Sequence, residues 1–519
     1  MYKKGVFIMR KHSLWGLIST AVAVLVLLSA CSIPGIPNSS TPPESENVAD
    51  FSNIHYQLIG DLDVENRVAT GTQTTTFTAS SIAEPLDTVG FHLYANSYSS
   101  PETSPSMGYS SIPAKDALGR ITVTEATVNG NKIEKFNSEG QFLELKLPEA
   151  IQPGETVEVT LVFNTKVPVS TERFGCYEEI CSYTQWHPLL AKYNVDTKTW
   201  DDHNYALQGE SDYIDDASYN ATLTYPEKYT AVTGGVDNEK VLDGKKQLTA
   251  ELEHGRIFAI IISEHFEIKE KTFDETTIRT VHDSRNTDFT EKDNENLFTD
   301  ANGAISFFSE KLGEFAYAKQ FDIVETAVEG FAMEYSGLVQ MGYFFNGQHD
   351  YQFYDVVAHE IGHQWMYSKI GSNSASSPFI DEGFTTFITA YYYEIEHQDN
   401  PDAEYLGLSS LAAYYTGQTI HGPIGESVYY FDKQGAYAYS DAVYSGTALA
   451  LNELRLLDGQ KLDAVLAAIA DKHSYGFVTR NDIYSYIEEQ YGVDTKEQFM
   501  YMINEPYYKY PTMLIGTQL

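Results

Sequence analysis

His359-Glu360-Ile361-Gly362-His363 is the stretch from which the rest of the chain can be interpreted. The two histidines are four positions apart, so on a helix both imidazoles project from one face and can bind one cation. Glu360 stands beside that cation rather than on it, where its carboxylate can accept a proton. The sequence supports a helix here, because no proline occurs between Tyr351 and Lys369 and apolar Val357 precedes Ile361 by four residues.

H-E-x-x-H on a helix is typical of zinc peptidases, in which three protein ligands leave the fourth position for water. A third histidine six residues beyond the second, as in metzincins, is excluded because Met366 and Lys369 occupy the required glycine and histidine positions. The other option is Glu382, which follows His363 after 18 residues at the start of a further helix. We therefore predict one zinc ion bound by His359, His363 and Glu382.

With Glu382 in an Asp-Glu-Gly-Phe context, the chain resembles the aminopeptidase N family of gluzincin peptidases. Phe331-Ala332-Met333-Glu334-Tyr335 is similar to the family's Gly-x-Met-Glu-Asn motif, and Val443-Tyr444 to its catalytic tyrosine segment. The resemblance implies that Glu334 holds the free α-amine of a peptide substrate and that Tyr444 polarises the scissile carbonyl. Gln185, in Thr184-Gln185-Trp186, is expected to assist amine binding. Residues 209–213 also resemble the family, without an assigned role.

The residue chemistry is that of peptide hydrolysis. Zinc activates a water molecule, and Glu360 accepts its proton and can pass that proton to the leaving amine. The Tyr444 hydroxyl is expected to stabilise the oxyanion, and a donor of this kind is worth about 3 to 4 kcal/mol. These expectations indicate an enzyme, a zinc aminopeptidase that acts on peptides.

The chain departs from the family's pattern beside the predicted amine site. Phe331 stands where the motif has glycine, and Tyr335 stands where it has asparagine. Two alternatives therefore stay open. One is a zinc endopeptidase with altered recognition of the substrate's N-terminus at Phe331 and Ala332. The other is a surface lipoprotein that binds without catalysis and holds zinc structurally, although such a site would not need Glu360 as a base.

The N-terminus resembles a bacterial lipoprotein signal. Basic residues precede an apolar run from Leu14 to Leu28, which is about 15 residues long where a spanning helix needs about 20. The run ends in Leu28-Ser29-Ala30-Cys31, similar to a lipobox, so we expect a lipid on Cys31. A plain signal peptide and an N-terminal transmembrane anchor are the alternatives. We expect a lipid-anchored protein on the extracellular face of the bacterial cell membrane, with residues 32–50 as a flexible tether.

Charge limits the possible binding partners, and the cysteine content limits the possible roles of the cysteine pair. The chain has 34 basic and 73 acidic side chains and a net charge of −39, which argues against nucleic acid or anionic lipid as the main partner. Cys176 and Cys181 could close a small disulfide loop in an oxidising compartment. A metal site at this pair is the alternative, but a second ligand pair of similar spacing is missing. The oligomeric state is left unknown.

The pattern of apolar residues predicts an α+β protein. Alternation at Val157, Val159 and Leu161 indicates half-buried strands, and Asn129-Gly130 indicates a hairpin turn. Helical spacing follows in the second half, where Thr479 with Asp482 predicts a helix cap. We expect a signal segment at 1–31, the tether at 32–50, an antiparallel β-sandwich or saddle domain at 51–267, and a mostly helical, thermolysin-like zinc peptidase domain at 268–519. The family's C-terminal helical-repeat domain is not expected, because the sequence ends at Leu519.

Overall fold

The computed structural model describes residues 48–49, 51–82, 84–107, 113–344, 350–396 and 405–511. The predicted signal segment, Cys31 and the tether up to residue 47 lie outside the described residues. Within the described ranges, the helices are too short or too polar to cross a membrane.

Strands dominate the chain from Phe51 to Asp283. They are β1 (Phe51–Asp63), β2 (Val68–Ala79), β3 (Leu86–His92), β4 (Arg120–Val128), β5 (Asn131–Lys132), β6 (Phe142–Ile151), β7 (Thr156–Lys166), β8 (Gly175–Tyr177), β9 (Ile180–Tyr183), β10 (Leu189–Leu190), β11 (Tyr193–Asn194), β12 (Thr199–Trp200), β13 (Ala217–Pro226), β14 (Thr230–Thr233), β15 (Val236–Leu242), β16 (Lys245–Gly255), β17 (Ile260–Ser263), β18 (Phe266–Phe273) and β19 (Thr276–Asp283).

Eight of these strands form one large sheet in the order β15-β16-β13-β1-β2-β7-β4-β5. Alternate residues of β7 are buried, as the two-residue period predicts. The predicted hairpin turn at Asn129-Gly130 joins β4 to β5, and both residues adopt positive φ values, 47° and 77°. The sheet is antiparallel, as predicted, except at one pair, because β1 and β13 run parallel. These strands are far apart in sequence, and a long connection allows either direction.

Smaller sheets complete the β-rich part, in the orders β10-β3-β6 and β14-β17-β9-β8. All four residues of β17 are buried. Cys176 and Cys181 are paired across the β8–β9 hairpin and form a disulfide.

Helices dominate the remainder, together with short strands. They are α1 (Glu291–Leu312), α2 (Asp350–Gly362), α3 (Phe384–Glu396), α4 (Leu408–Tyr415), α5 (Val428–Gln434), α6 (Ala436–Tyr439), α7 (Thr447–His473), α8 (Arg480–Tyr491) and α9 (Val493–Asn504), with strands β20 (Phe321–Val328), β21 (Leu338–Gly342), β22 (Thr419–His421) and β23 (Tyr507–Lys509). The predicted cap is present, since Thr479 and Asp482 form a reciprocal capping box at the start of α8.

A four-stranded sheet, β18-β19-β20-β21, lies beside the helices. In this sheet β20 pairs in parallel with both of its neighbours, β19 and β21. The predicted domain boundary between residues 267 and 268 falls inside β18, which already pairs with β19 of this sheet. The protein is thus α+β, with a β-rich part followed by a mostly helical part, and the predicted fold class is confirmed.

Candidate active site

His359 lies in the last turn of α2, and His363 directly follows its last residue, Gly362. The backbone N–H of His363 donates to the carbonyl of His359, so the helical turn still orients both side chains. Their Nε2 atoms are 3.0 Å apart. This spacing suits two ligands of one ion.

Glu382 is brought to the histidines by a turn of π-helix, Phe379–Gly383, that leads into α3. Its Oε2 atom lies 3.2 Å from the Nε2 atom of each histidine. For tetrahedral zinc with bonds near 2.0–2.1 Å, neighbouring ligand atoms are about 3.3 Å apart. The structure therefore brings together the three predicted ligands at a separation that fits zinc.

Asp381 holds one of these ligands in place, and we did not predict it from the sequence. Its Oδ1 atom is 2.8 Å from Nδ1 of His363, whose ring also lies 2.9 Å from the Met366 carbonyl oxygen. Its Oδ2 atom accepts a hydrogen bond from Ser374. Metal-binding histidines usually donate their second ring N–H in this way, which leaves Nε2 free for the metal. The available signal was its place in the sequence: Asp381 directly precedes the predicted ligand Glu382, and a metal-binding histidine commonly needs a carboxylate partner.

Glu360 projects from α2 beside the ligands and is buried. Burial, together with the nearby Glu382 and Asp381 carboxylates, raises the pKa of Glu360 to about 8, although His363 opposes the rise. Glu360 does not belong to the cluster of His359, His363 and Glu382, whose ligand atoms lie within 4.8 Å of one another. Its position suits proton transfer rather than metal binding.

Tyr444 reaches the same place from a second π-helical turn, Ser440–Gly446, which leads into α7. Its hydroxyl donates to Oε1 of Glu382 at 2.5 Å, and its ring stacks on His359 with centroids 5.9 Å apart. Burial and Glu382 raise the pKa of the Tyr444 phenol well above its usual value, so the group is a hydrogen-bond donor at neutral pH. The two π-helical turns, each carrying a site residue, are of the kind often found at functional sites.

Glu334 lies in the loop between β20 and β21. This loop is held in place by a pair of backbone hydrogen bonds between Met333 and Gln340. The carboxylate is buried and lies within 4.8 Å of ligand atoms of His363 and Asp381. Its Oε1 atom has no hydrogen-bond partner among the described residues.

Glu210, for which no role was predicted, is a second buried carboxylate beside the zinc ligands. Its loop is fastened to the helical part by the backbone N–H groups of Leu207 and Gln208, which donate to Asp432. One carboxylate oxygen accepts from Arg173 Nη1 at 2.9 Å, and the other is buried without a partner in the described part of the chain. Burial raises the pKa of Glu210 well above its usual value; Arg173 opposes the rise, and the neighbouring Glu382 carboxylate adds to it. The resemblance at residues 209–213 was the available signal.

The loop around Glu210 depends on a glycine. Gly209 has φ +70°, and a Cβ atom there would meet the Tyr439 hydroxyl at 2.7 Å. A glycine is needed both for the backbone conformation and for the close approach to the helical part.

Gln185 stays a prediction. It is buried, and its Oε1 atom has no hydrogen-bond partner among the residues described. The neighbouring Thr184 hydroxyl donates to the carbonyl of Arg173, the residue that binds Glu210. The structure therefore connects this segment to the site through Arg173.

Phe331 and Ala332, where the chain departs from the family's motif, are half-buried. The Phe331 ring lies 5.5 Å from the Arg173 guanidinium, close enough for a cation–π contact. The unusual phenylalanine thus packs on the arginine that also pairs with Glu210.

Comparison with known proteins agrees with this geometry. Residues 299–502 match the family model of the peptidase family M1 domain. No curated protein matches the chain. A solved two-domain M1 zinc metallopeptidase mutant bound to L-arginine is similar, with 16% identity, a TM-score of 0.62, and 89% of this chain and 96% of that chain covered.

A mutant M1 zinc metallopeptidase from Deinococcus radiodurans, bound to the substrate Tyr-Ser-Ala, is similar at 16% identity and a TM-score of 0.63. The match covers 88% of this chain and 95% of that chain. At this identity the solved structures establish the fold alone. The family model identifies an M1 peptidase domain within the helical part. The chain therefore carries a peptidase family M1 domain at residues 299–502 and has the fold of two-domain M1 zinc metallopeptidases.

Proposed function

We propose that this chain is an aminopeptidase, which removes N-terminal residues from peptides. The observation that carries the proposal is a pair of buried carboxylates beside the zinc ligands, Glu334 and Glu210, each with one oxygen that has no partner among the described residues. Leaving a buried acceptor unsatisfied costs about 1 to 3 kcal/mol, and more for a charged group. A bound cation with several N–H donors removes this cost, and the ammonium group of a peptide's N-terminus has three.

The catalytic steps follow from the positions of three groups. When bound by His359, His363 and Glu382, zinc supplies a Lewis acid for the scissile carbonyl and makes a water molecule more acidic. Glu360 takes the proton from the attacking water and passes it to the leaving amine. The Tyr444 hydroxyl, now donating to Glu382, turns to donate to the oxyanion that develops on the carbonyl.

Peptide substrates are further supported by the solved relative that was bound to Tyr-Ser-Ala. Holding the substrate's amine at Glu334 and Glu210 limits how far the peptide enters, so cleavage occurs after the first residue. The alternative of a zinc endopeptidase is supported by Phe331, whose ring occupies the motif position that is glycine in the family. A binding protein without catalysis is disfavoured by Glu360, which a structural zinc site would not need.

The test compares aminoacyl amides that carry free and acetylated N-termini, with kcat/KM measured for each on the zinc-loaded protein. We expect cleavage of the free form and a loss of about 10- to 100-fold or more on acetylation, because a charged contact is removed. Glu334→Gln is expected to reduce this preference mainly through KM. Equal cleavage of both forms would establish the endopeptidase alternative, and cleavage of neither would establish the binding protein.

We also propose that the protein is anchored by a lipid on Cys31 and displayed on the outer face of the bacterial cell membrane. The proposal is supported by the basic segment, apolar run and Leu28-Ser29-Ala30-Cys31 of the N-terminus. Cys31→Ala is expected to abolish labelling by a fatty-acid probe and to change the processing of the N-terminus. Unchanged labelling and membrane association in this variant would contradict the anchor.

A further inference from the structure

We propose a second metal site, built by His92, Asp201 and His203 in the β-rich part, that binds a divalent transition cation such as Zn²⁺. His92 ends β3, and the other two residues follow β12. Each of the three residues offers one ligand atom, and these atoms lie within 4.8 Å of one another. This second site is separate from the zinc ligands of α2 and uses none of their residues.

The composition of this cluster is that of the catalytic site, two imidazoles and one carboxylate. Such a set suits zinc and related divalent metals. Its internal spacing is similar as well, because His203 Nδ1 lies 2.9 Å from both carboxylate oxygens of Asp201. In the catalytic cluster the corresponding nitrogen-to-oxygen distances are 3.2 Å.

His92 supplies an independent reason to expect a ligand. Its side chain is fully buried, and neither ring nitrogen has a hydrogen-bond partner among the described residues. Burial lowers the pKa of His92 to about 3, so the ring is neutral and keeps a free lone pair. An imidazole buried in this way leaves two polar atoms unsatisfied, and a metal ion satisfies one of them.

His203 is oriented as metal-binding histidines are. Its Nε2 atom lies 2.6 Å from the carbonyl oxygen of Ser211, which can accept only a hydrogen bond, so this nitrogen carries the proton. The Tyr94 hydroxyl lies 2.9 Å from the same atom. Nδ1 therefore faces Asp201 and is the nitrogen available for a metal, just as the Asp381 contact leaves Nε2 of His363 available.

A divalent cation at this site replaces one proton and so adds one positive charge. His203 Nδ1 lies 2.9 Å from both Asp201 oxygens and Nε2 lies 2.6 Å from the Ser211 carbonyl oxygen, so in the metal-free cluster His203 and Asp201 form an ion pair. The cation displaces the Nδ1 proton of His203 and bonds to that nitrogen, to one ring nitrogen of His92 and to an Asp201 oxygen.

The site has a structural consequence for the catalytic part. Ser211, which accepts from His203, is adjacent in sequence to Glu210, one of the two carboxylates beside the catalytic zinc ligands. A metal on His203 would fix the loop between residues 201 and 211 and so hold Glu210 in position. His92, Asp201 and His203 would then be positioning residues and not catalytic ones.

The experiment measures zinc per chain by mass spectrometry after loading the full chain with Zn²⁺ alone and removing weakly bound ions by gel filtration. We expect about two zinc ions per chain in the wild type and about one in His92→Phe, which keeps an aromatic ring but no nitrogen. Glu382→Gln should also lower zinc content toward about one, and the double variant toward zero.

The matched control is His187→Phe. His187 is likewise buried, with an Nε2 atom that has no partner in the described ranges, but it is not part of a cluster of metal-binding groups found among the described residues. Its replacement should leave about two zinc ions bound. Thermal unfolding with and without Zn²⁺ gives a second readout, and the stabilisation attributable to the second ion should be lost in His92→Phe but not in the control.

One zinc ion per wild-type chain, or the same zinc content in His92→Phe and wild type, would overturn the proposal. Either result would mean that the cluster binds no metal, and that the ion pair of His203 and Asp201 packs beside a neutral His92. If circular dichroism finds His92→Phe unfolded, Asp201→Asn, whose side chain is 13% exposed, takes its place with the same two expected outcomes.

Discussion

Glu360 is the residue on which the proposed chemistry depends most directly. Glu360→Gln keeps the size of the side chain but replaces the base with an amide that accepts protons poorly. We expect kcat to fall about 100- to 10,000-fold, which is the usual contribution of general acid–base catalysis. Zinc content should not change, because Glu360 is outside the cluster of His359, His363 and Glu382.

Both quantities are to be measured on the same preparation. Loss of zinc together with activity would mean that Glu360 acts through the metal site instead of as a base. Wild-type activity in Glu360→Gln would contradict the proposed mechanism.

Asp381 is predicted to act through His363. Asp381→Asn weakens the contact that orients the ring, and we expect a loss of about 10- to 100-fold in zinc affinity, measured by competition with a chelator. Ser374→Ala is the control, since it removes only the hydroxyl group that donates to the other oxygen of Asp381 and should have a smaller effect. An Asp381→Asn affinity equal to that of wild type would show that the carboxylate is not needed for zinc binding.

The amine site is predicted to depend more on Glu210 than on Gln185. Glu210→Gln should raise KM for substrates with a free N-terminus by about 10- to 100-fold, because a charged hydrogen bond is lost. The KM of acetylated substrates should change little, which separates amine binding from damage to the Arg173 pair. A larger effect of Gln185→Ala than of Glu210→Gln would restore Gln185 to the role that the resemblance implies.

At the scale of secondary-structure elements, the π-helical turn that carries Glu382 packs closely against the start of α7. Gly383 ends this turn, and a Cβ atom there would lie 2.3 Å from Cβ of Thr447, at the start of α7. The glycine lets α3 and α7 approach each other, and their two π-helical turns carry Glu382 and Tyr444.

We expect Gly383→Ala to destabilise the protein by about 1 to 3 kcal/mol and to weaken zinc binding, because the turn must move away from α7. Gly140→Ala is the control, since the nearest atom to its Cβ, the Phe142 nitrogen, would be 3.9 Å away. The comparison requires urea denaturation and zinc content for both variants. Equal stability of the two variants would indicate that the contact between α3 and α7 adjusts without cost.

At the scale of the whole molecule, Arg256 joins the β-rich part to the helical part. Its buried guanidinium donates to the carbonyl oxygens of Tyr367 at 2.5 Å and Gly476 at 2.9 Å, both in the helical part, and to that of Ile214 at 2.7 Å. Tyr367 follows His363 by four residues, so the contact supports the end of the zinc helix.

Arg256→Met is expected to lower the free energy of unfolding by about 2 to 5 kcal/mol, because buried carbonyls lose their donors. Arg120→Met, at an exposed position of β4, is the matched control and should have little effect. Urea midpoints followed by fluorescence, with activity recorded in parallel, test this prediction. Similar midpoints for the two variants would mean that the two parts are held together by apolar packing alone.

The sequence determined the helix that carries His359 and His363, the cap at Thr479 and the hairpin turn at Asn129, because each depends on residues that are close in the chain. A helix places positions four apart on one face, so the pairing of His359 with His363 could be inferred without a structure. The position of Glu382 followed from exclusion and from the resemblance, and the structure places it 3.2 Å from both histidine nitrogens.

Tertiary structure alone decided which distant groups surround the metal site. Glu210 comes from a loop of the β-rich part more than a hundred residues before α2, and Arg173, Asp432 and Gly209 fix its position. Local periodicity carries no information about such contacts, because they arise when sheets and helices pack to bury apolar surface. The parallel pairing of β1 with β13 and the meeting of His92 with His203 have the same origin.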